Sequence, residues 1–295
     1  MEEFDYRIRW RSAEVLPGAH RGLREGPGVE FHGHVGMLDA PDPRRLDLRA
    51  SIANPGGGWL FRRMRQTSGI GVVLLADVSA SMGAGGAARP VTASAARTTD
   101  AAASRMPTLA RLLRMIGQSA RRTSDSFSLI AADAAMHEAL FLPPTRAPGA
   151  IADIAARVAA FVPSGRGHAG VIEAAENLAG RRRLVFVASD FCWPLADVER
   201  LLAALAPHQV QPIVLWDDAG TRALKLHGLV ELDDAEGGAG RAVWLRPRQR
   251  ERWQSAIADW RAQLAETFAA HGVAPLFVDE GFAADAIADW LREGA

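Results

Sequence analysis

Apolar residues occur in this chain in two arrangements, unbroken short runs and helically spaced stripes, and from about residue 70 the two alternate. Val72 to Ala76 run without a polar interruption into Asp77, Ser79 and Ser81 and then a glycine-rich stretch. Such a run predicts a strand buried on both faces that ends at a polar sheet edge. Phe127 to Ala132, Leu184 to Ala188, Val210 to Trp216 and Pro275 to Val278 predict further strands, with a short one at Ala139 to Leu142 ended by Pro143 and Pro144. Between them, Leu109, Leu112, Leu113 and Ile116 have helical spacing, as do Ile151, Ile154, Val158 and Phe161. Helices are also expected over Val171 to Ala179, Leu195 to Leu205 and Phe282 to Leu291. Trp253, Ile257, Trp260, Leu264 and Phe268 make one long stripe suited to burial against a sheet. This alternation predicts an α/β fold with a doubly wound, mostly parallel sheet.

The first quarter has a different pattern. Phe4, Tyr6, Ile8 and Trp10 alternate with charged residues, which predicts a half-buried strand. Residues 17–58 are crowded with glycine and proline and read as loops and short strands, after which Phe61 to Gln66 leads into the central strand. Asp42, Arg44, Arg45, Asp47 and Arg49 lie on a short run whose ion pairs are expected to pin this part to the main domain. Residues 83–104, almost all Gly, Ala, Ser, Thr and Arg, read as a mobile insertion. Gly228 to Asp233 and Arg241 to Leu245 predict a β-hairpin. The expected organisation is an N-terminal strand-and-loop extension (1–67) and an α/β domain (68–295) with a hairpin insertion at about 228–245.

Composition narrows the function classes. Lys and Arg balance Asp and Glu at 34 each, so no charge excess favours nucleic acid or an acidic membrane. No run approaches the roughly 18 apolar residues of a membrane span, and Met1 to Asp5 carries no apolar leader, so a cytoplasmic protein is expected. Cys192, the single cysteine, rules out an internal disulfide and is expected to be a small buried hydrophobe.

Candidate chemistry gathers at strand ends. Asp77, Ser79 and Ser81 offer a carboxylate and two hydroxyls, an all-oxygen set suited to a hard cation such as Mg²⁺. Asp190 ends another apolar strand, and parallel strands bring both acids to one carboxyl edge. For an enzyme, Asp77 and Asp190 would hold Mg²⁺ for hydrolysis or phosphoryl transfer, or Ser79 would act as nucleophile with His168 as base. Against this, the chain has no Gly-x-x-x-x-Gly-Lys-Ser/Thr loop, no Asp-x-Asp after the first strand and no Gly-x-Ser-x-Gly.

Asp77-Val78-Ser79-Ala80-Ser81 resembles the first motif of the metal-ion-dependent adhesion site of von Willebrand factor A domains. Gly26-Pro27-Gly28-Val29-Glu30-Phe31, the Asp42 to Ser51 block, Ser189-Asp190-Phe191 and the Asp234 to Gly240 turn are similar to DUF58 proteins, which are associated with MoxR-type AAA+ ATPases. The resemblance implies a metal site formed by Asp77, Ser79, Ser81 and Asp190. The family's second-loop threonine is absent, and Gly167 or His168 stands in its place. Leu48 stands where the family usually shows tryptophan. The resemblance further implies a non-catalytic adaptor holding Mg²⁺ or another divalent cation. Its partners would be a MoxR-type ATPase and a client such as a dehydrogenase, as in the MxaS-like branch of methanol-oxidation operons.

Overall fold

The computed structural model describes residues 3–14, 16–39, 41–83, 88–90, 104–216, 228–232, 241–278 and 284–293. In chain order the strands are β1 (Pro17–Gly36), β2 (Leu60–Ser68), β3 (Gly71–Asp77), β4 (Ala88–Pro90), β5 (Ser126–Ala132), β6 (Leu142–Thr145), β7 (Leu184–Ser189), β8 (Gln209–Leu215), β9 (Gly228–Leu232), β10 (Arg241–Leu245) and β11 (Leu276–Val278). The helices are α1 (Leu48–Ile52), α2 (Ala80–Gly83), α3 (Met106–Arg122), α4 (Pro148–Ala160), α5 (Ala169–Glu176), α6 (Leu195–Ala204), α7 (Pro247–Ala270) and α8 (Ala284–Glu293). A six-stranded sheet runs in the order β11-β8-β7-β3-β5-β6, parallel throughout except for the edge strand β6. The expected doubly wound α/β architecture is therefore what the chain adopts.

The unbroken run in β3 explains why the sheet is covered on both sides. Val72, Leu74 and Ala76 enter one core with α3, α4 and α8, while Val73 and Leu75 enter the other with α5, α6 and α7. Successive side chains point to opposite faces, so a strand that must contribute to both cores has no position for a polar residue. Each fully buried Val or Leu contributes about 1.5–3 kcal/mol. In α7 the stripe is deepest at its C-terminal end, where Leu264 and Phe268 are fully buried. Trp253 and Ile257, toward the other end, are only half-buried.

The N-terminal alternation sets facing correctly but not hydrogen bonding. Phe4 and Tyr6 are buried and Ile8 and Trp10 pack on the same core, yet residues 4–8 form no strand. The Phe4 N–H donates to Ser119 Oγ at 2.9 Å and the Arg9 N–H to Gln209 Oε1 at 3.0 Å. The segment lies across the side chains of α3 and the start of β8, so its amides meet side-chain acceptors instead of a neighbouring strand.

The glycine-rich region also departs from expectation. Instead of loops and short strands, residues 17–36 form one 20-residue strand, antiparallel to β2, with four register shifts. Phe61 to Gln66 accordingly belongs to this two-stranded sheet. Gly28 shows what the composition is for: a Cβ there would lie 1.9 Å from the Arg65 carbonyl oxygen. Gly28→Ala is expected to cost about 1–3 kcal/mol by overpacking against a backbone that cannot retreat. An unchanged urea midpoint would refute the close approach. Within the acidic and basic run, Arg45 Nε lies 3.8 Å from Asp42 Oδ2. Asp47 caps α1 through the Ala50 N–H and accepts from Arg62 Nε at 2.8 Å, which fastens α1 to β2.

Two smaller expectations are corrected or placed. Pro143 and Pro144 lie inside β6 instead of ending a strand before it, which an edge strand tolerates because one row of its amides needs no partner. The hairpin forms as β9 and β10, with β4 added on the other side of β9. Its turn, and the expected insertion at 83–104 apart from Gly83, β4 and Ser104, lie outside the described residues.

Candidate functional site

Adjacent parallel strands carry the candidate residues to one rim. β3 lies between β5 and β7, with Asp77 level with Ala132 and Ala76 level with Ala188. Asp133, Asp77 and Asp190 therefore all fall at the carboxyl edge of the sheet, where the crevice of a doubly wound fold takes its ligand.

The Asp77 carboxylate is fully buried and well supplied with donors. The Ser79 N–H donates to Oδ1 at 2.9 Å, while Ser189 Oγ–H and the Trp193 indole N–H donate to Oδ2 at 2.6 and 3.2 Å. Ser79 Oγ and Ser81 Oγ are 3.1 Å apart and share a hydrogen bond. Asp190 is 3% exposed; its Oδ1 accepts the Cys192 N–H at 3.1 Å, whereas its buried Oδ2 accepts no hydrogen bond. That oxygen lies 3.7 Å from Arg105 Nη1, which also donates to the Ser81 carbonyl at 2.6 Å. Burial, and then the charge of Asp190, push the Asp77 carboxyl up to about 6; hydrogen bonds from Ser189 and Ser79 act the other way. The structure thus brings Asp77, Ser79, Ser81 and Asp190 together.

The turn after β7 is set by Phe191, whose φ of 50° places it in the left-handed region. Its ring is fully buried against Trp193 and Phe268, with centroids 5.2 Å from each, and that packing holds the strained backbone. The turn sends Phe191 and Trp193 inward and Cys192 outward. Cys192 is exposed rather than the buried hydrophobe expected from its type. Loss of hydration around the sulfur, and then the charge of Asp190, push its thiol up to about 12, so the sulfur is not a thiolate nucleophile at neutral pH.

The second loop packs tightly on the rim. The Gly165 carbonyl accepts the Ala80 N–H at 2.8 Å, and a Cβ on Gly165 would fall 1.7 Å from Asp133 Oδ2. His168 Nε2 is hydrogen-bonded to Asp197 Oδ2 at 3.0 Å, and its ring stacks on Trp193 at 4.4 Å. It therefore meets Asp77 only through the indole that donates to that acid. A Ser79–His168 pair of the nucleophile-and-base kind is not made.

Sequence reasoning missed Asp133, Ser189, Trp193 and Arg105. Asp133 was findable, since it follows an apolar strand just as Asp77 and Asp190 do. Its Oδ2 is hydrogen-bonded to His137 Nε2 at 2.7 Å. Among the described residues no three His, Cys, Asp or Glu side chains form a ready metal cage. The oxygen set here is instead two carboxylates and two hydroxyls. Those four oxygen-bearing side chains are the ones that could hold a hard divalent cation, with water at the positions they leave.

The sheet order and polar rim define a doubly wound α/β protein. The chain belongs to the DUF58 family, described as a protein of unknown function, which matches residues 59–263. Among solved structures it is similar to the conserved hypothetical protein BatB from Bacteroides thetaiotaomicron, with 16% identity over 77% of this chain and 98% of that one and a TM-score of 0.43. An aerotolerance-related membrane protein from Bacteroides fragilis is 14% identical over 77% and 98% of the two chains, with a TM-score of 0.42. The pilus adhesin SpaC from Lactobacillus rhamnosus GG is 11% identical over 76% of this chain and 30% of that one, with a TM-score of 0.39. No curated protein matches the chain. Among the described residues no helix is long and apolar enough to cross a membrane.

Proposed function

We propose that this chain is a non-catalytic interaction protein whose contact point is the rim around Asp77 and Asp190, where one divalent cation, Mg²⁺ by the hardness of the donors, joins it to a partner. Asp77, Ser79, Ser81 and Asp190 would hold the ion, which when bound supplies a positive charge able to accept an acidic group from the partner. The carrying observation is the pair of buried acids on adjacent parallel strands, with one oxygen of Asp190 accepting no hydrogen bond. Repulsion between the two is unfavourable in a water-poor site, and a bound cation relieves it. Membership of DUF58, together with the motif resemblance, supports a MoxR-type AAA+ ATPase and its client as the partners.

Arg105 sets the cost of binding. Its guanidinium, 17% exposed, lies 3.7 Å from Asp190 Oδ2, so a divalent ion must compete with it. In calorimetric titration with Mg²⁺, Arg105→Gln is expected to bind about tenfold more tightly than wild type, and Asp190→Asn about tenfold or more weakly, each factor being about 1.4 kcal/mol. Capture of the ATPase by immobilised protein should require Mg²⁺ and fail with Asp77→Ala. If neither wild type nor Arg105→Gln binds the ion, the cation bridge is refuted. ATPase capture that ignores Mg²⁺ would then leave a metal-free adaptor.

A further inference from the structure

At the opposite end of the sheet, where β8 begins, a cavity of about 500 Å³ opens between the N-terminal segment, the α7–β11 connection and α8. Gln209 and Gln211 both line it, two residues apart on β8 and so on one face. Gln209 is committed to structure: its Oε1 accepts the Arg9 N–H and its Nε2–H donates to the Arg7 carbonyl. His208 is committed as well, held between the Arg183 N–H and the Leu178 carbonyl.

Gln211 is different. It is only 7% exposed and lines the same cavity, where the polar atoms of its amide stay open to the cavity instead of being sealed off without a partner. A side-chain amide open to a cavity can both donate to and accept from a polar ligand there.

The charges around it indicate which kind of ligand. Arg9 and Arg182 line the cavity, and neither guanidinium is paired with a carboxylate among the described residues. Arg182 is held at 5.0 Å over the ring of Trp10, which fixes the head of a side chain that would otherwise wander. His271 adds a ring whose Nδ1 is hydrogen-bonded to the Thr267 carbonyl at 3.0 Å. No acid lines the cavity among the described residues. Trp290, half-buried and tethered by its indole N–H to the Ala274 carbonyl at 3.2 Å, completes a flat wall.

We infer that this cavity is a second binding site, for a small organic anion that carries a flat group: Arg9 and Arg182 take the charge, Gln211 reads a polar edge, and Trp290 packs the flat part. The volume lies within the range of ligand pockets. This inference does not depend on the acidic rim or on any cation held there.

Adenosine monophosphate and inorganic phosphate are suitable probes, with adenosine as the uncharged control, followed by calorimetry and thermal shift on the full chain. Adenosine monophosphate should bind saturably and compete with phosphate, while adenosine should not bind. Arg9→Ala with Arg182→Ala should weaken binding about tenfold or more. Gln211→Leu separates the inference from simple misfolding: it should keep the melting temperature of the ligand-free protein within about 2 °C of wild type while weakening the anion about tenfold. No saturable binding of either anion at about 5 mM, equal binding of adenosine, or arginine variants that bind as wild type would each overturn the site. A Gln211→Leu protein that binds the anion as wild type would overturn the role of the amide.

Discussion

Asp125→Ala is expected to lower the unfolding free energy by about 3–5 kcal/mol, a loss typical of removing one member from a buried charged network. Asp125 is fully buried just before β5, and both of its oxygens are engaged. Oδ1 accepts the Ile70 N–H at 2.8 Å. Oδ2 accepts the Thr123 hydroxyl at 2.6 Å and the Tyr6 hydroxyl, and is hydrogen-bonded to His20 Nε2 at 2.8 Å. Burial and the Asp125 charge push the Tyr6 phenol well above its ordinary range, so it remains a donor at every pH the fold survives. One carboxylate thereby joins the N-terminal segment, β1 and the central sheet, which are remote from one another in sequence. Tyr6→Phe should cost only about 0.5–1.5 kcal/mol for a phenol hydrogen bond, or somewhat more because the acceptor is charged. Urea denaturation of both variants tests the network. A loss below about 1 kcal/mol for Asp125→Ala would show that the three parts hold together without it.

The second large effect is on pH dependence. In the native state the Asp77 carboxyl is raised from an ordinary 3.8 to about 6 by burial and by the neighbouring Asp190. A raised acid binds its proton more tightly folded than unfolded. Its contribution to stability is therefore fully present below about pH 4 and is lost as pH rises through about 6. Roughly two pKa units correspond to about 3 kcal/mol. Other carboxylates run the opposite way, Asp47 being held well below the usual range by its bond from Arg62, so the test is a difference between two proteins. Asp77→Asn keeps the shape and one acceptor oxygen but cannot titrate. The stability of wild type minus that of Asp77→Asn should fall by about 3 kcal/mol between pH 4 and pH 7. Parallel profiles would contradict the strained pair. Saturating Mg²⁺ should flatten the difference if the cation is held as proposed, because it stabilises the ionised carboxylate.

Much of the architecture is legible in the chain because burial leaves a local signature. The β3 run has no polar position because it feeds two cores, and Leu109, Leu112, Leu113 and Ile116 mark the buried face of α3. The candidate site was legible to the extent that Asp77 and Asp190 each close such a run. Arg105 gave no signal, since it follows a stretch of small residues and meets Asp190 only in the folded chain. Trp193 looked like any aromatic beside a turn, and its bond to Asp77 spans 116 positions.

Sequence alone determined most of the strands and helices from about residue 70 onward and which way their apolar side chains face, since both follow from the period at which apolar residues recur. Only the tertiary structure decided that β7 and β5 flank β3, and so that Asp190 and Asp133 stand beside Asp77. It also decided that the alternating N-terminal segment finds side chains rather than a strand for its amides. Neighbour order and register depend on contacts between distant parts of the chain, and a one-dimensional pattern carries no record of which buried face will meet which.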